Sequence, residues 1–217
     1  MPFSDILAAL AQGAVYTVLV TLVCNATGVG VGLAVVGLRK LEQPALTLLL
    51  DLFTYVFRAV PLLVLLFIVY FGLPGFGIKV SPLLAMALSL GVICGAYLAE
   101  VFRGALQSID SNEILAAQAS GLSRWQILRH IELPQMLRLA LPGMVNEFTT
   151  VLKYSPFAYT VGLPEITKQA MTLSGTTLQG IEIYLAAGIL YFLIYRVLLL
   201  GLEAMERRFR VPGMNPL

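Results

Sequence analysis

The chain alternates between long apolar segments and short polar stretches. Five apolar segments are each long enough to cross a hydrocarbon layer, which takes about 20 mostly apolar residues. They lie at about 13–38, 45–73, 81–102, 136–160 and 183–203. These runs lack the regular alternation of a transmembrane barrel, and a helix in lipid satisfies its own backbone groups. The pattern predicts an all-α integral membrane protein of about five transmembrane helices, forming one domain over residues 1–217.

The longest interruption between apolar segments, at about 105–135, carries helix signals of its own. Two residue pairs, Asp110/Glu113 and Ser123/Gln126, have the spacing of a capping box. Between them, Gly121 suits the left-handed position that follows a helix. We therefore predict two short helices joined at Gly121, the second of which ends at Pro134, before the fourth span.

This polar stretch presents mostly small side chains. A slim helix surface can enter a groove on a soluble partner, whereas a helix that lies on lipid needs a larger apolar face. We interpret the stretch as a docking surface, with a passive interfacial hairpin as the alternative. The predicted docking residues are Glu113, Ala116, Ala117, Ser120, Gly121 and Leu122.

Composition and charge agree with a membrane protein and orient it. Of the 217 residues, 59% are hydrophobic and 12% charged, against roughly a quarter charged in soluble domains. One predicted side holds nine basic residues: Arg39, Lys40, Arg103, Arg124, Arg129, Arg138, Arg207, Arg208 and Arg210. The other holds only Lys79 and Lys168. By the positive-inside rule, the polar stretch and the C-terminus are cytoplasmic, and the N-terminus and about 163–182 are outside. The charges follow topology and give no indication of nucleic-acid binding.

Ionisable residues inside the predicted spans are costly in hydrocarbon and need a partner or water. Glu100 and Arg103 are three residues apart, which favours a structural ion pair. Asp51 and Arg58, seven apart, share a helix face. In the fourth span, a polar group followed by Pro156 favours a water-filled cavity, because a broken helix often lines one. The candidate solute-path residues are Arg58, Glu147, Lys153, Tyr154 and Ser155.

The glycines and cysteines of the spans have a structural interpretation, and the lysine positions exclude an ATP-binding loop. The spacing of Gly28 and Gly32 in the first span indicates close helix packing, within the chain rather than between chains. Cys24 and Cys94 are interpreted as buried small hydrophobes, and with a single histidine they cannot form a structural zinc site. No lysine follows a glycine, so the chain has no Walker A loop. Any ATP hydrolysis is therefore expected on another chain.

Several segments together resemble one protein family. The polar stretch resembles the EAA loop of permease subunits of ABC importers, with A-A-x-x-x-G at 116–121 and I-x-L-P at 131–134. Four more segments resemble permeases of the polar-amino-acid class: R-A-V-P-L-L at 58–63, G-A-Y-L-A-E-V-F-R-G at 95–104, V-L-K-Y-S-P at 151–156 and P-E-I at 164–166. The resemblance covers about 50–210.

The resemblance implies a type I importer permease of the histidine/glutamine/arginine/glutamate class, in a bacterial inner membrane. The implied partners are a second permease, identical or homologous, two ATP-binding subunits and an external or periplasmic solute-binding protein. ATP and magnesium belong to the ATP-binding subunits, so no cofactor or metal is expected in this chain. The implied solute is a polar amino acid or a derivative such as an opine, and the docking surface becomes the coupling surface for the ATPase.

The chain departs from the family pattern at positions that bear on function. Leu115 stands where the EAA loop has its glutamate, with Glu113 two residues earlier. Tyr154 stands where the family has an aspartate after the lysine, and Pro156 also departs from the pattern. The loss of that carboxylate removes a partner for a cationic amino group. Two expectations follow: either this subunit holds no solute itself, or the solute is not a standard basic amino acid.

Two hypotheses of other classes remain open from the sequence. An ion-gradient-driven secondary transporter or channel module would use Glu147 and Lys153 as a relay, and it would move solute without nucleotide. A non-transporting scaffold would have a dry polar face on the fourth span.

Overall fold

The computed structural model describes residues 2–209, which are helical with short turns and contain no strand. We number the helices α1 (Phe3–Arg39), α2 (Pro44–Ala59), α3 (Leu62–Phe76), α4 (Pro82–Gln107), α5 (Ser111–Ala119), α6 (124–154), α7 (Ile166–Thr177) and α8 (Gly180–Phe209). A 3₁₀ segment, Ser155–Val161, follows α6. The all-α prediction is confirmed. Arg210, one of the nine basic residues above, lies outside the described residues.

Helix α1 begins ten residues earlier than the predicted first span. Its 37 residues make it about 55 Å long at 1.5 Å per residue, well above the roughly 30 Å of a hydrocarbon core. The first turns are held by apolar packing: Ile6 and Leu10 are buried against Ile166 of α7 and Ile183 of α8. The added length therefore anchors α1 to the last two helices.

The second predicted span, 45–73, is not one straight helix. It is divided into α2 and α3, which are bent by 104° relative to each other. The break lies at Val60 and Pro61, where proline lacks the amide for the helical ladder and drives the preceding residue into extended backbone. Val60 has the expected φ of −75° and ψ of 129°. The second predicted span is therefore two helices that meet at Pro61.

Helix α6 contains the predicted fourth span but is less apolar than the others. Among the described residues, α1, α4 and α8 are long and apolar enough to cross a membrane, and the bent α2–α3 pair makes a fourth if it counts as one span. Helix α6 is not among them because Asn146, Glu147, Thr150 and Lys153 interrupt its apolar surface. Such a helix is expected to face protein or water along its polar side.

Close packing of α1 on α4 depends on glycine, as predicted for the first span. A Cβ on Gly28 would lie 2.6 Å from the Sγ of Cys94, and one on Gly32 would lie 3.0 Å from the Cβ of Leu98. Both cysteines are buried and free, and Cys24 donates to the Met86 carbonyl at 3.4 Å. The glycine interpretation and the apolar role of the cysteines are both confirmed.

A buried carboxylate joins three helices at the far end from the polar stretch. Glu165 is fully buried and caps α7, accepting hydrogen bonds from the backbone amides of Thr167 at 2.9 Å and Lys168 at 2.8 Å. The Tyr191 hydroxyl of α8 also donates to it. Burial raises the pKa of Glu165, while these hydrogen bonds act in the opposite direction. On the α1 side, Thr17 accepts from the Ile166 amide at 3.3 Å.

Candidate coupling surface and solute path

The helix α5 begins at its predicted cap, but without the predicted reciprocal pair. The Asp110 carboxylate accepts from the Asn112 amide at 2.9 Å. The Glu113 carboxylate does not return to the cap; it accepts from Nε2 of Gln135 at 2.6 Å. The capping box at Asp110 was therefore wrong in its second half. Glu113 instead ties α5 to the long stretch of α6 that follows the polar region.

The joint between α5 and α6 has the predicted left-handed glycine. Gly121 has a φ of +82°, and its amide donates to the Gln118 carbonyl at 2.9 Å. The Leu122 amide donates to the Ala117 carbonyl at 3.1 Å, which completes the helix-ending turn. Among the described residues, no atom lies within 4 Å of the place that a Cβ would take at Gly121. A substitution there therefore meets backbone strain alone.

Helix α6 begins with the predicted capping box and does not stop at Pro134. The Ser123 amide donates to Oε1 of Gln126 at 2.8 Å, and the Gln126 amide donates to the Ser123 hydroxyl at 3.4 Å. The helix then continues through a π-helical turn, Leu128–Glu132, into Leu133–Tyr154. A π turn rearranges the backbone hydrogen bonds just where proline lacks an amide. The predicted end at Pro134 was wrong, and the polar stretch is continuous with the fourth span.

The predicted docking residues divide between surface and interior. Glu113, Ala116, Ser120 and Gly121 are exposed, and Leu122 is partly buried. Ala117 is only 7% exposed, so it packs beneath this surface and adds no contact area to it. Whether these residues bind a partner stays a prediction.

Two large apolar side chains that sequence reasoning left out stand on this surface. Leu115 is 59% exposed and Trp125, the chain's single tryptophan, is 66% exposed. Aromatic residues of this size are enriched at protein interfaces. Two features of the sequence could have pointed to these residues. Trp125 is the second residue of the helix that follows the Ser123 cap, and Leu115 departs from the family pattern.

The candidate solute-path residues do not form one cluster. Glu147 is half-buried, and Nδ2 of Asn146 donates to its Oε1 at 3.4 Å. Lys153, six residues later, lies about 120° away around the helix. The guanidinium of Arg58 lies over the ring of Tyr97, 5.1 Å from its centroid, and the Tyr97 hydroxyl donates to the Arg58 carbonyl at 3.3 Å. Arg58 is therefore held against α4.

Lys153 lies on the side of α6 that faces α8. Its Nζ is 5.5 Å from the ring centroid of Tyr195. A cavity of about 310 Å³ opens beside it, lined by Leu152, Lys153, Pro156, Tyr191, Phe192 and Tyr195. Tyr154 is 46% exposed and stacks on Phe157 at 6.1 Å between centroids. This side of the helix combines one cation with aromatic rings.

Ser155 does not border either polar region. It is fully buried, and its hydroxyl donates to the Leu152 carbonyl at 2.8 Å. Serine commonly bonds a carbonyl of the preceding turn when it is buried in a helix end. Its hydroxyl is thus occupied within the chain, which argues against the predicted contact with solute.

Ion pairs at the helix ends form both within one helix and between helices. Arg103 and Glu100 form the expected pair, with Nη2 and Oε2 2.6 Å apart. Asp51, however, pairs with Arg39 of α1 at 2.6 Å and not with the distal Arg58. The same guanidinium lies 3.7 Å from Glu100. Sequence spacing shows pairs within a helix but gives no signal for a partner on another helix.

Two further ion pairs connect the end of α1 to the start of α6. Lys40 and Glu132 are 2.7 Å apart, and Glu42 and Arg124 are 2.8 Å apart. Between these elements lies an open cleft of about 430 Å³.

Within residues 2–209 no cluster of three or more His, Cys, Asp or Glu residues could hold a metal ion.

Comparison with known proteins gives a consistent family. Residues 26–211 match the family model for the binding-protein-dependent transport system inner membrane component. The chain is 31% identical to the probable amino-acid ABC transporter permease protein YckA of Bacillus subtilis, over 91% of this chain and 88% of that protein. It is 32% identical to the histidine/lysine/arginine/ornithine transport system permease protein HisQ of Escherichia coli, over 92% of each.

Solved structures agree with these relatives. A crystal structure of an amino acid ABC transporter with histidines superposes with a TM-score of 0.86 at 27% identity, covering 96% of this chain and 99% of that one. An inward-facing structure of the MetNI methionine ABC transporter superposes with a TM-score of 0.79 at 21% identity, over 97% and 100% of the two chains. The second likeness concerns the fold alone.

Proposed function

The chain belongs to the family of binding-protein-dependent transport system inner membrane components, and from this premise we propose that it imports a polar amino acid as one permease subunit of an ATP-driven complex. Its relatives are permease subunits of amino-acid ABC transporters. The observation that carries the proposal is the continuity of α6, which runs from the exposed polar stretch into the polar fourth span. A displacement applied at Ser123 is carried along one helix to Glu147.

The proposed assembly follows from what this chain lacks and what it exposes. It has no Walker A loop, so two separate ATP-binding subunits would hold ATP and magnesium. Their docking point would be α5 and the first turn of α6, with Leu115 and Trp125 as apolar contacts. A second permease, identical or homologous, would complete the solute path, and an external solute-binding protein would deliver solute from the opposite side.

The proposed solute contacts lie on α6 and its neighbours. Glu147 on α6 and Arg58 on α2 carry opposite charges and so match the ammonium and carboxylate of an amino acid. Lys153 lies on the side of α6 that faces α8, and Tyr154 follows it in the sequence. At this place the chain has a cation and aromatic rings where the family has a carboxylate. A solute side chain that is neutral and polar suits this surface better than a cationic one, because like charges repel at close range.

Orientation gives a prediction that is independent of transport. A cysteine replacing Gln118 on α5 is expected to react only with a membrane-impermeant maleimide added at the cytoplasmic side. One replacing Thr176 on α7 is expected to react only from outside, because basic residues concentrate on the cytoplasmic face. Both positions are exposed. The buried Cys24 and Cys94 are first replaced by alanine, and that background without a new cysteine is the control. Labelling of both positions from one side would refute the proposed topology.

Co-purification and reconstitution test the function itself. The tagged chain is expected to bring down an ATP-binding subunit, and proteoliposomes of that complex are expected to take up radiolabelled glutamine or arginine only with internal ATP and an external binding protein. Omitting the binding protein and replacing ATP by a non-hydrolysable analogue are the controls. Uptake driven by an ion gradient without nucleotide would favour a secondary transporter instead. Absence of any ATP-binding partner would contradict the proposal.

A further inference from the structure

The short segment Arg39–Glu42 connects α1 to α2 and sends its charged side chains to two different parts of the fold. It leaves α1 through successive turns, in which the amides of Lys40 and Glu42 donate to the carbonyls of Gly37 and Arg39 at 3.2 and 3.1 Å. Glu42 has a φ of +53°, a backbone region that L-residues adopt at some cost. The turn is what allows neighbouring side chains to diverge.

Two of these side chains reach the start of α6. Lys40 contacts Glu132 at 2.7 Å, across 92 residues of sequence. Glu42 contacts Arg124 at 2.8 Å, across 82 residues. Arg124 is the first residue of α6 and Glu132 the last of its π turn. The two contacts therefore hold α6 at points about two helical turns apart.

The remaining cation of the segment reaches the membrane helices. Arg39 lies 2.6 Å from Asp51 on α2 and 3.7 Å from Glu100 on α4. Glu100 is held in turn by Arg103 at 2.6 Å. The segment thus stands between the polar stretch on one side and the ends of α1, α2 and α4 on the other.

Two ion pairs connect this segment to the first turns of α6, and farther along the helices Val36 of α1 and Met136 of α6 belong to one apolar cluster. The cleft of about 430 Å³ separates the two elements, with Gly37 and Leu41 on one wall and Trp125 and Leu128 on the other. Arg124 and Glu42 are 82% and 65% exposed, whereas Lys40 and Glu132 are 37% and 15% exposed. Because solvent weakens exposed pairs, Lys40–Glu132 is the stronger of the two links.

We propose that Lys40 and Glu132 are positioning residues that pass displacement of the polar stretch to α1, α2 and α4, so that ATP hydrolysis is coupled to solute movement at a second point besides α6 itself. This inference rests on the proposed function. Helix α6 already packs on α4, where a Cβ on Gly143 would lie 2.6 Å from Val101, and the ion pair adds a link at the end of α1. The Lys40–Glu132 pair makes the end of α1 follow, and Arg39 carries that motion to α2 and α4.

A charge exchange tests the pair. In proteoliposomes of the full complex, Lys40→Glu and Glu132→Lys are each expected to lower the ratio of glutamine or arginine imported to ATP hydrolysed by about tenfold, within the coupling range of contacting pairs. The double variant restores the pair in reverse and is expected to recover most of that ratio. The amount of ATP-binding subunit co-purified is expected to stay constant in all three, because neither residue forms the proposed docking surface.

The matched control exchanges a pair whose two members lie within one helix and so link no two elements. Glu203 and Arg207 lie one turn apart on α8, and Glu203→Arg with Arg207→Glu is expected to leave the ratio unchanged. If a reversed variant is not recovered from the membrane as a folded chain, Lys40→Met and Glu132→Gln replace it. Normal ratios in the single variants, or no recovery in the double, would overturn the inference, as would loss of the ATP-binding subunit. A wild-type complex without ATP-dependent uptake would overturn the proposed function itself.

Discussion

Valine in place of Gly121 is expected to abolish most ATP-driven uptake while the membrane helices stay folded. Gly121 has a φ of +82°, and a side chain in this region costs about 1–2 kcal/mol, with β-branched residues at the upper end. No atom of the described residues lies within 4 Å of the new Cβ, so the strain is confined to the joint between α5 and α6. The joint relaxes by changing the angle between the two helices, which displaces Ala116 and Trp125 relative to each other.

The measurement is uptake and ATP hydrolysis by each variant, beside the yield of ATP-binding subunit recovered with it. Because 1.4 kcal/mol corresponds to a factor of about ten, uptake is expected to fall about tenfold or more. Gly121→Asn is the matched control, since asparagine tolerates the left-handed region and is expected to keep most activity. Wild-type uptake by Gly121→Val would exclude this joint as the coupling element.

Removing either charge on α6 is expected to impair uptake without disassembling the complex. Glu147→Gln removes the half-buried carboxylate, and Lys153→Met removes the cation over Tyr195. A hydrogen bond to a charged group contributes about 1.5–3 kcal/mol, so a loss of about tenfold to a hundredfold in uptake efficiency is expected from each. The measured quantity is the concentration dependence of initial uptake in proteoliposomes.

The two variants also report which face of α6 the solute passes, since the residues lie on different sides of the helix. Lys153→Arg keeps the cation near the ring and is the control for the second variant. If Lys153→Met transports normally while Glu147→Gln does not, the solute path runs only along the face of α6 that carries Glu147. Wild-type kinetics in both variants would exclude the polar face of α6 as the solute path.

Features that depend on neighbours in sequence could be predicted from the sequence. The left-handed Gly121 and the capping box at Ser123 follow from local backbone and side-chain geometry, which a few residues determine. The close approach at Gly28 and Gly32 followed from residue size at helical spacing. Family membership followed from motifs such as that at 95–104, because each motif is a short contiguous run.

The tertiary structure decided the contacts between residues that are far apart in the sequence. Whether Pro134 ends a helix depends on whether the backbone can form a π turn at Leu128–Glu132, and the sequence alone favoured a stop. The partner of Asp51 is Arg39 on another helix, since an ion pair forms wherever folding brings opposite charges together. In the same way, only the packed helices place Arg58 over Tyr97, turn Lys153 toward Tyr195 and bury Ser155 and Ala117. The chain's composition and local signals determined helices, membrane and family, while the three-dimensional packing decided which polar groups face each other.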